Sequence, residues 1–377
     1  MKIGIDARLF KGDNATGIEN TVYEIIKEWS KSYPQHEYYL FNRKGAIINL
    51  KLPGNWHFVT EKTDPTLIPI NKAWTLFQIP RAIKKYGLDV YWGTNYILPH
   101  KVKGTDYFIT IYDLALFKFR KIGELRNVIR LKLFTKKGCK DAKKVVAISK
   151  STARDIYKIF NIPKEKIKVS YIGGIPTDYN KNFYDESRVN PILKFDEDFF
   201  LFISTIEPRK NVETMIKAFN KFKKITGKNT KLVLAGKIGW RCESILKTYE
   251  ESPYKCDIIM PGYISADDKD YLLSHAKAFL YPSIYEGFGI PILEAFEYEL
   301  PVLTSNVSSM PEVGGDAAIY VNNPCDEREM AQKLKLLSEL SDEERQALIN
   351  KINVRKNKFS WKKCAIEMMK ILCGENA

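Results

Sequence analysis

The stretch DFFLFISTIEPRKNVETMIKAF, residues 198–219, decides the fold. It opens with DFFLFIS, a short run of aromatic and branched apolar residues with the composition of a buried strand. It then turns through EPRK into a helical segment, with Asn211 as candidate N-cap. That strand-to-helix step recurs along the chain. In the first half the candidate strands are KIGID, EYYLF, WHFVT, DVYWGT, DYFITIYD, KVVAIS and IKVSYIG. A second series follows DFFLFIS with KLVLAGK, CDIIMPGY, AKAFLYPS, LPVLTS and AAIYVN. Strands alternating with amphipathic stretches make an α/β chain with parallel sheets and crossover helices.

At 377 residues the chain exceeds what one hydrophobic core usually supports, so two domains are expected. The segment GGIPTDYNKNFYDESRVNP, residues 173–191, has no sustained apolar period and reads as the linker. The domains are then 1–180, completed by a C-terminal helix within 360–377, and 181–359, each doubly wound. After about residue 326 the chain turns helical. Its last helix, within 360–377, places Trp361, Cys364, Ile366, Met369 and Leu372 on an apolar face.

No apolar run is long enough for a membrane span, and Asp6 and Arg8 interrupt any signal-peptide core, so a soluble, cytoplasmic chain starting at Met1 is expected. Cys139, Cys242, Cys256, Cys325, Cys364 and Cys373 lack C-x-x-C spacing, and there are only four histidines; free thiols are expected rather than a metal site. The formal charge of +15 asks for an anionic partner: nucleic acid, an acidic membrane surface or a phosphorylated substrate. Zinc-finger spacings, heptad-linked basic regions and RNP-like aromatics are lacking, which argues against nucleic acid.

Open α/β sheets bind ligands beyond the carboxyl ends of their strands, so the residues following strands carry the chemistry. After KIGID, Gly17 opens a helical pattern where a small residue lets backbone N–H groups approach an anion; a glycine serving only the turn is the equal alternative. The strict G-x-G-x-x-G of nicotinamide sites is absent. After DFFLFIS, Arg209 and Lys210 set a guanidinium fork and an ammonium beside a helix start, a diphosphate clamp or else a solvated basic pair. In YPSIYEGFGIPILEAF, residues 281–296, Gly287, Phe288, Gly289 and Ile290 lead into a helix with Pro291 in its first turn. Glu294 then lies about one turn in, placed for a ribose diol, and Glu286 stands at the head of the loop. Two glutamates eight apart are commonplace; their weight comes from Arg209 and Lys210 in the same half.

Together these motifs resemble the retaining glycosyltransferases of family 4, whose fold is GT-B: two Rossmann-like domains facing across a cleft. The resemblance runs nearly end to end, through GIDAR, TGIENTVYEI, DVYWGTNYILP, TIYDLA, VVAISKSTARDI, TIEPRKN, LVLAGKIGW, PGYIS, YPSIYEGFGIPILEAF and SSMPEVGGDAAIYVN. It implies transfer of a hexose from a nucleotide-diphosphate sugar, as co-substrate, to a hydroxyl of a saccharide or polyprenyl-linked acceptor in surface polysaccharide biosynthesis. The C-terminal domain would hold the donor: Arg209 and Lys210 on the diphosphate, Glu294 on the ribose, Glu286 on the sugar, the backbone of Phe288, Gly289 and Ile290 completing the cradle, and Gly262, Tyr263 and Ile264 receiving the base. The N-terminal domain would hold the acceptor. Front-face attack needs no covalent nucleophile, and a basic clamp makes a metal dispensable. The GIDAR and SSMPEVGGDAA segments resemble mannosyltransferase-like members, which makes GDP-mannose the first donor to expect, ahead of UDP- or dTDP-sugars.

Four positions depart from the family pattern. Tyr112 stands where a histidine near the transferred sugar is common, next to a retained Asp113, while Ser204, Glu19 and Glu299 replace frequent glycines. The segment RKIGELRNVIRLKLFTKKGCKDAKK, residues 120–144, carries ten basic residues against two acids, and Ile122, Leu125, Ile129 and Leu133 share a helical face. Such a helix suits an anionic bilayer, with the protein peripheral on the inner face of the membrane, or it packs on its own sheet with the lysines solvated. The other readings are a related transferase acting on a soluble acceptor such as a sugar phosphate, and a non-catalytic sugar- or nucleic-acid-binding protein.

Overall fold

The computed structural model describes residues 1–10, 17–43, 46, 48–60, 77–119, 125–175 and 184–374. The chain divides into two compact units, Met1–Gly173 with Ser360–Ala377, and Gly174–Phe359. The division between Gly173 and Gly174 falls at the head of the Gly- and Pro-rich segment rather than at residue 180. Residues 176–183 of that segment lie outside the described residues.

In the first unit β1 (Lys2–Asp6), β2 (Glu37–Asn42), β3 (Trp56–Thr60), β4 (Val90–Gly93), β5 (Asp106–Ile111), β6 (Lys144–Ala147) and β7 (Ile167–Val169) form one sheet in the order β3-β2-β1-β4-β5-β6-β7. Every pair is parallel. In the second, β8 (Phe199–Ile203), β9 (Lys231–Ala235), β10 (Ile258–Gly262), β11 (Ala278–Tyr281), β12 (Val302–Ser305) and β13 (Ile319–Val321) run parallel in the order β10-β9-β8-β11-β12-β13. Among the described residues every strand coincides with a run picked out in the sequence, β2 alone overrunning its run, EYYLF, by Asn42. They read as near-continuous apolar runs because a parallel sheet is covered on both faces.

The order reverses at β1/β4 in one unit and at β8/β11 in the other, and each reversal opens a crevice at the strands' carboxyl ends. In the second sheet Leu201 of β8 pairs with Val233 of β9 and Phe279 of β11. The residues leaving β8 and β11 are therefore neighbours, although some 75 residues separate them in sequence.

The first unit is completed by the C-terminal helix Trp361–Cys373, which packs on the helix Gly17–Ser32. Its buried stripe is Trp361, Cys364, Ala365, Met368, Met369 and Leu372, an i, i+3, i+4 progression. Ile366, expected on that face, sits at its edge because a five-residue step from Trp361 turns past the helix period. Trp29 Nε1 donates to Ala365 O at 2.8 Å, and the Trp29 ring packs on Trp92 with centroids 5.3 Å apart. A Cβ on Gly173 would meet Trp361 at 2.5 Å, so glycine is required where the chain leaves the unit. No helix among the described residues is long and apolar enough to cross a membrane.

Candidate active site

Beyond β8 the chain continues to pair with the segment following β9. Ser204 N donates to Ala235 O at 3.0 Å, Ile206 N to Lys237 O at 2.9 Å and Gly239 N to Ile206 O at 2.8 Å. Gly236 makes the approach possible: its φ is +142°, and a Cβ there would stand 1.9 Å from Ser204 O. A 3-10 turn, Pro208–Lys210, then swings Arg209 and Lys210 toward the loop after β11. Asn211 precedes the helix Val212–Thr226, as expected of a cap, but its backbone is left-handed (φ 64°) and its side chain does not cap. The amide donates instead to Pro282 O at 3.1 Å and Pro324 O at 2.5 Å, tying three loops together. Arg209 O accepts from Ile284 N at 2.9 Å, which fixes the two site loops to each other.

Glu286, only 8% exposed, occupies the centre. Its Oε1 accepts from Lys210 Nζ at 2.6 Å and from the Tyr281 hydroxyl at 3.1 Å, and its Oε2 accepts from Arg209 Nη1 at 2.6 Å. Lys210 Nζ also donates to the Tyr281 oxygen at 2.6 Å. Arg209 gives its Nε and Nη2 to Glu207 Oε1, at 3.0 and 2.6 Å, and its Nη1 also to Tyr285 O at 2.9 Å. Burial pushes the Glu286 carboxyl up, but the adjacent Lys210 and Arg209 outweigh burial and hold it below its ordinary range. Burial and neighbouring Glu286 push the Tyr281 phenol well up, so it stays a neutral donor.

The cluster is formally neutral, two cations against Glu207 and Glu286. An arriving anion meets a clamp that already carries its own counter-ions. A guanidinium has five N–H groups, and the bonds above use four, leaving one on Nη2. Lys210 likewise has one ammonium proton beyond its bonds to Tyr281 and Glu286.

The GFG loop is braced from behind. Glu286 N donates to Ser308 Oγ at 3.2 Å, Ser308 Oγ to Glu286 O at 2.6 Å, and Ser309 Oγ to Phe288 O at 2.6 Å. Phe288 packs edge-on against Phe359, with centroids 5.6 Å apart. Gly289 (φ 126°) ends the loop, and the helix Ile290–Glu297 starts with Pro291 in its first turn as expected; Pro291 has no N–H and Ile292 N donates to Gly289 O at 3.0 Å, so Ile290 carries the first-turn amide left to meet a ligand. Glu294, on that helix, accepts from Lys269 Nζ at 2.7 Å. Lys269 belongs to the helix Ala266–His275, which follows the loop Gly262–Tyr263–Ile264, so the ion pair links Glu294 to that segment. Gly262 has φ 78°, and Tyr263 is 73% exposed under Lys237 Nζ, 4.7 Å from its ring centroid.

The structure thus gathers Arg209, Lys210, Glu286 and the residues 287–290 in one place, with Glu294 one helical turn beyond. Sequence reasoning missed Glu207 and Trp240, whose Nε1 donates to Glu207 Oε2 at 2.7 Å, as well as Tyr281 and the two serines. Glu207 and Trp240 lie inside the quoted motifs EPRKN and LVLAGKIGW; an acid two residues before a paired arginine was the available signal.

In the first unit Gly17 is the exposed first residue of its helix, and a Cβ there would meet nothing within 4 Å among the described residues. The preceding loop, 11–16, lies outside the described residues. Tyr112 is buried and its hydroxyl has no hydrogen-bond partner among the described residues. Burial and Cys364 push the phenol far up. Asp113 Oδ1 accepts from Ala115 N at 3.0 Å. At the carboxyl end of β1 the buried Asp6 holds Arg8 through Nε at 2.7 Å and Nη2 at 2.5 Å, a pair that sequence reasoning did not single out.

Within the basic segment the helix spans Leu125–Asp141; Ile122 and the Leu125 side chain lie outside the described residues. Ile129 and Leu133 are 50% and 64% exposed, so they do not pack on the sheet. The contact with the sheet is made further along, where a Cβ on Gly138 would lie 3.2 Å from Ile109 of β5.

Of the departures from the family pattern, Glu299 is explained: its φ is 56°, a left-handed conformation that glycine takes without strain.

The family model for glycosyl transferases group 1 matches residues 183–355. The chain is 30% identical over 307 residues to O-antigen chain mannosyltransferase B of Escherichia coli, covering 80% of this chain and 76% of that protein. Among solved structures, WaaG, a glycosyltransferase involved in lipopolysaccharide biosynthesis, superposes with a TM-score of 0.70 at 18% identity, covering 99% of this chain and all of WaaG. HepE of Anabaena, solved with UDP-glucose, gives 0.68 at 13% identity over 98% of this chain and 99% of its own. With both sheets and the β8/β11 cluster in place, the chain belongs to the glycosyl transferases group 1 family and is a glycosyltransferase of the GT-B fold.

Proposed function

We propose that this glycosyltransferase moves a mannosyl group from GDP-mannose, with retention, to a saccharide or polyprenyl-linked acceptor in surface polysaccharide biosynthesis. The observation that carries the proposal is the buried Arg209–Glu286–Lys210 cluster at the β8/β11 reversal, beside the start of the helix Ile290–Glu297. The mannosyl and O-antigen assignment is supported by the likeness to mannosyltransferase B. A nucleotide-sugar donor is supported by the UDP-glucose complex of HepE.

The second unit binds the donor and the first the acceptor. The remaining Nη2 proton of Arg209, the remaining ammonium proton of Lys210 and the amides at Gly289 and Ile290 meet the diphosphate. Glu294 takes the ribose diol, and Gly262, Tyr263 and Ile264 receive the base. As the bond from the sugar C1 to the diphosphate oxygen breaks, the electron pair leaves with that oxygen, and Arg209 and Lys210 stabilise the charge that accumulates there. The acceptor oxygen bonds to C1 from the same face and its proton passes to the departing phosphate. Glu286 holds both cations and faces the sugar; on this reading Gly17 offers backbone N–H groups to the donor's anion, Tyr112 lies by the transferred sugar and Asp113 by the sugar or the acceptor. With the fixed hydrogen bonds of Arg209 and Lys210 on the departing diphosphate, turnover is expected without a divalent metal, and EDTA should leave it unchanged.

The test is nucleotide release from GDP-mannose, UDP-glucose and dTDP-glucose, with the product's anomeric configuration read by NMR. GDP-mannose turnover with retention is expected; absence of binding and release with every donor, lipid-linked acceptors included, overturns the proposal.

The exposed Ile129 and Leu133 on a basic helix favour a membrane-borne acceptor, with the protein peripheral on the membrane. Flotation with vesicles containing anionic lipid should recover the protein in a salt-sensitive manner, and an Ile129→Asp/Leu133→Asp variant should stay at the bottom of the gradient. Equal recovery with neutral vesicles removes the docking idea.

A further inference from the structure

We infer that Glu207 and Trp240 are positioning residues that aim the Arg209 guanidinium at the donor's diphosphate. The inference rests on the reading that Arg209 meets that diphosphate. Glu207 is 8% exposed, and both of its oxygens are committed. Oε1 takes the Nε and Nη2 edge of Arg209, and Oε2 takes the Trp240 indole N–H. A buried carboxylate bonded on one oxygen alone can turn about its last torsion; bonded on both, it presents a fixed edge to the guanidinium. Trp240 thereby sets the plane of Arg209 through Glu207, and Tyr285 O and Glu286 hold the opposite nitrogen.

Trp240 is itself anchored to the backbone that carries Glu207. A Cβ on Gly239 would lie 2.9 Å from Ile206 O, and Cys242 Sγ donates to the same carbonyl at 2.9 Å. The tryptophan ring is only partly buried. Core packing is a weak reason for an indole at this place, and its one N–H donor is the stronger one.

The effect must therefore pass through Arg209, and a double-mutant cycle reads it. Binding of inorganic pyrophosphate by calorimetry and the kcat of nucleotide release are measured for Trp240→Phe, Trp240→His and Arg209→Lys, and for Trp240→Phe in the Arg209→Lys background. Trp240→Phe is expected to lower both quantities about tenfold, the scale of one hydrogen bond to a charged group, with its unfolding midpoint close to the parent's. Trp240→His, which keeps a ring N–H, is expected to recover part of the loss. On Arg209→Lys, which lacks the Nε and Nη2 edge, Trp240→Phe adds nothing. Parent-like values for Trp240→Phe, or a loss repeated in full on Arg209→Lys, overturn the inference while leaving the clamp intact. A parent enzyme that neither binds pyrophosphate nor releases nucleotide removes the clamp reading itself, and the inference with it.

Discussion

Replacing Glu286 with glutamine should make the resting protein less stable and more avid for diphosphate at once. The carboxylate accepts two charge-assisted hydrogen bonds at 2.6 Å, and Lys210, buried beneath it, has no other carboxylate within ion-pair distance among the described residues. Removing one member of a buried ion pair costs about 3–5 kcal/mol. Glutamine keeps one carbonyl acceptor but turns its amide toward the second cation, so about 3 kcal/mol is the expected loss. For a unit of this size that lowers the unfolding midpoint by about 6–12 °C. Inorganic pyrophosphate then supplies the missing negative charge, and the midpoint of Glu286→Gln should rise more with added pyrophosphate than that of the parent. Turnover should fall by about two to three orders of magnitude, because the cations lose their fixed geometry.

The pH dependence has a definite sign. The folded-state pKa of Glu286 lies below its unfolded value, so its stabilisation is complete above the ordinary glutamate value of about 4.3 and is lost as pH falls toward the depressed folded value. The difference in unfolding free energy between parent and variant, measured by urea titration, should be constant from pH 8 to about pH 5 and shrink below about pH 4. A variant as stable as the parent at pH 7, with the same response to pyrophosphate, would falsify the self-neutralised cluster.

Gly236→Ala should fail to accumulate as folded protein or lose more than about 3 kcal/mol in urea, since the added Cβ meets the Ser204 carbonyl at 1.9 Å and neither backbone can yield; near-parent stability would show that the β8 and β9 extensions are loosely joined. If Glu294 takes the donor's ribose as proposed, Glu294→Ala should raise the donor KM about tenfold with kcat little changed, since such a contact is made equally in the ground and transition states; a fall in kcat alone would move Glu294 to the reacting end. Trp29→Phe removes the hydrogen bond to Ala365 O and should destabilise the first unit by about 1 kcal/mol, seen as faster amide exchange in the helix Trp361–Cys373 and unchanged exchange in β8 to β13.

The strands were legible because each is a compact apolar run closed by polar residues, which needs no knowledge of its neighbours. The site was legible in its parts and not in its wiring. EPRKN and EGFG each announce themselves, but their meeting depends on β8 lying beside β11, and strand order is not written in either motif. Asn211 shows the limit of local rules. It occupies the capping position, yet its side chain is drawn to Pro282 and Pro324, the latter more than a hundred residues away, and its backbone turns left-handed. Glu207 went unread because a carboxylate two residues from an arginine is ordinary until Trp240, from the next strand's exit, closes on its other side. The C-terminal stripe was misjudged at Ile366 by a five-residue step; the helix period points to Ala365, a residue small enough to be passed over and the one whose carbonyl Trp29 engages.

The first unit also has a history set by the order of synthesis. The strands described in it emerge from the ribosome long before the helix Trp361–Cys373, which packs on Trp29 and against β4, the strand of Trp92. Throughout translation of the second unit, that aromatic face stands without its natural cover. A chain released early, or clipped after Phe359, would keep every residue of the Arg209–Glu286–Lys210 cluster yet expose the indoles of the other unit. Loss of that helix would then be felt first as aggregation in the cell, while Arg209, Lys210 and Glu286, all upstream of the cut, remained chemically whole.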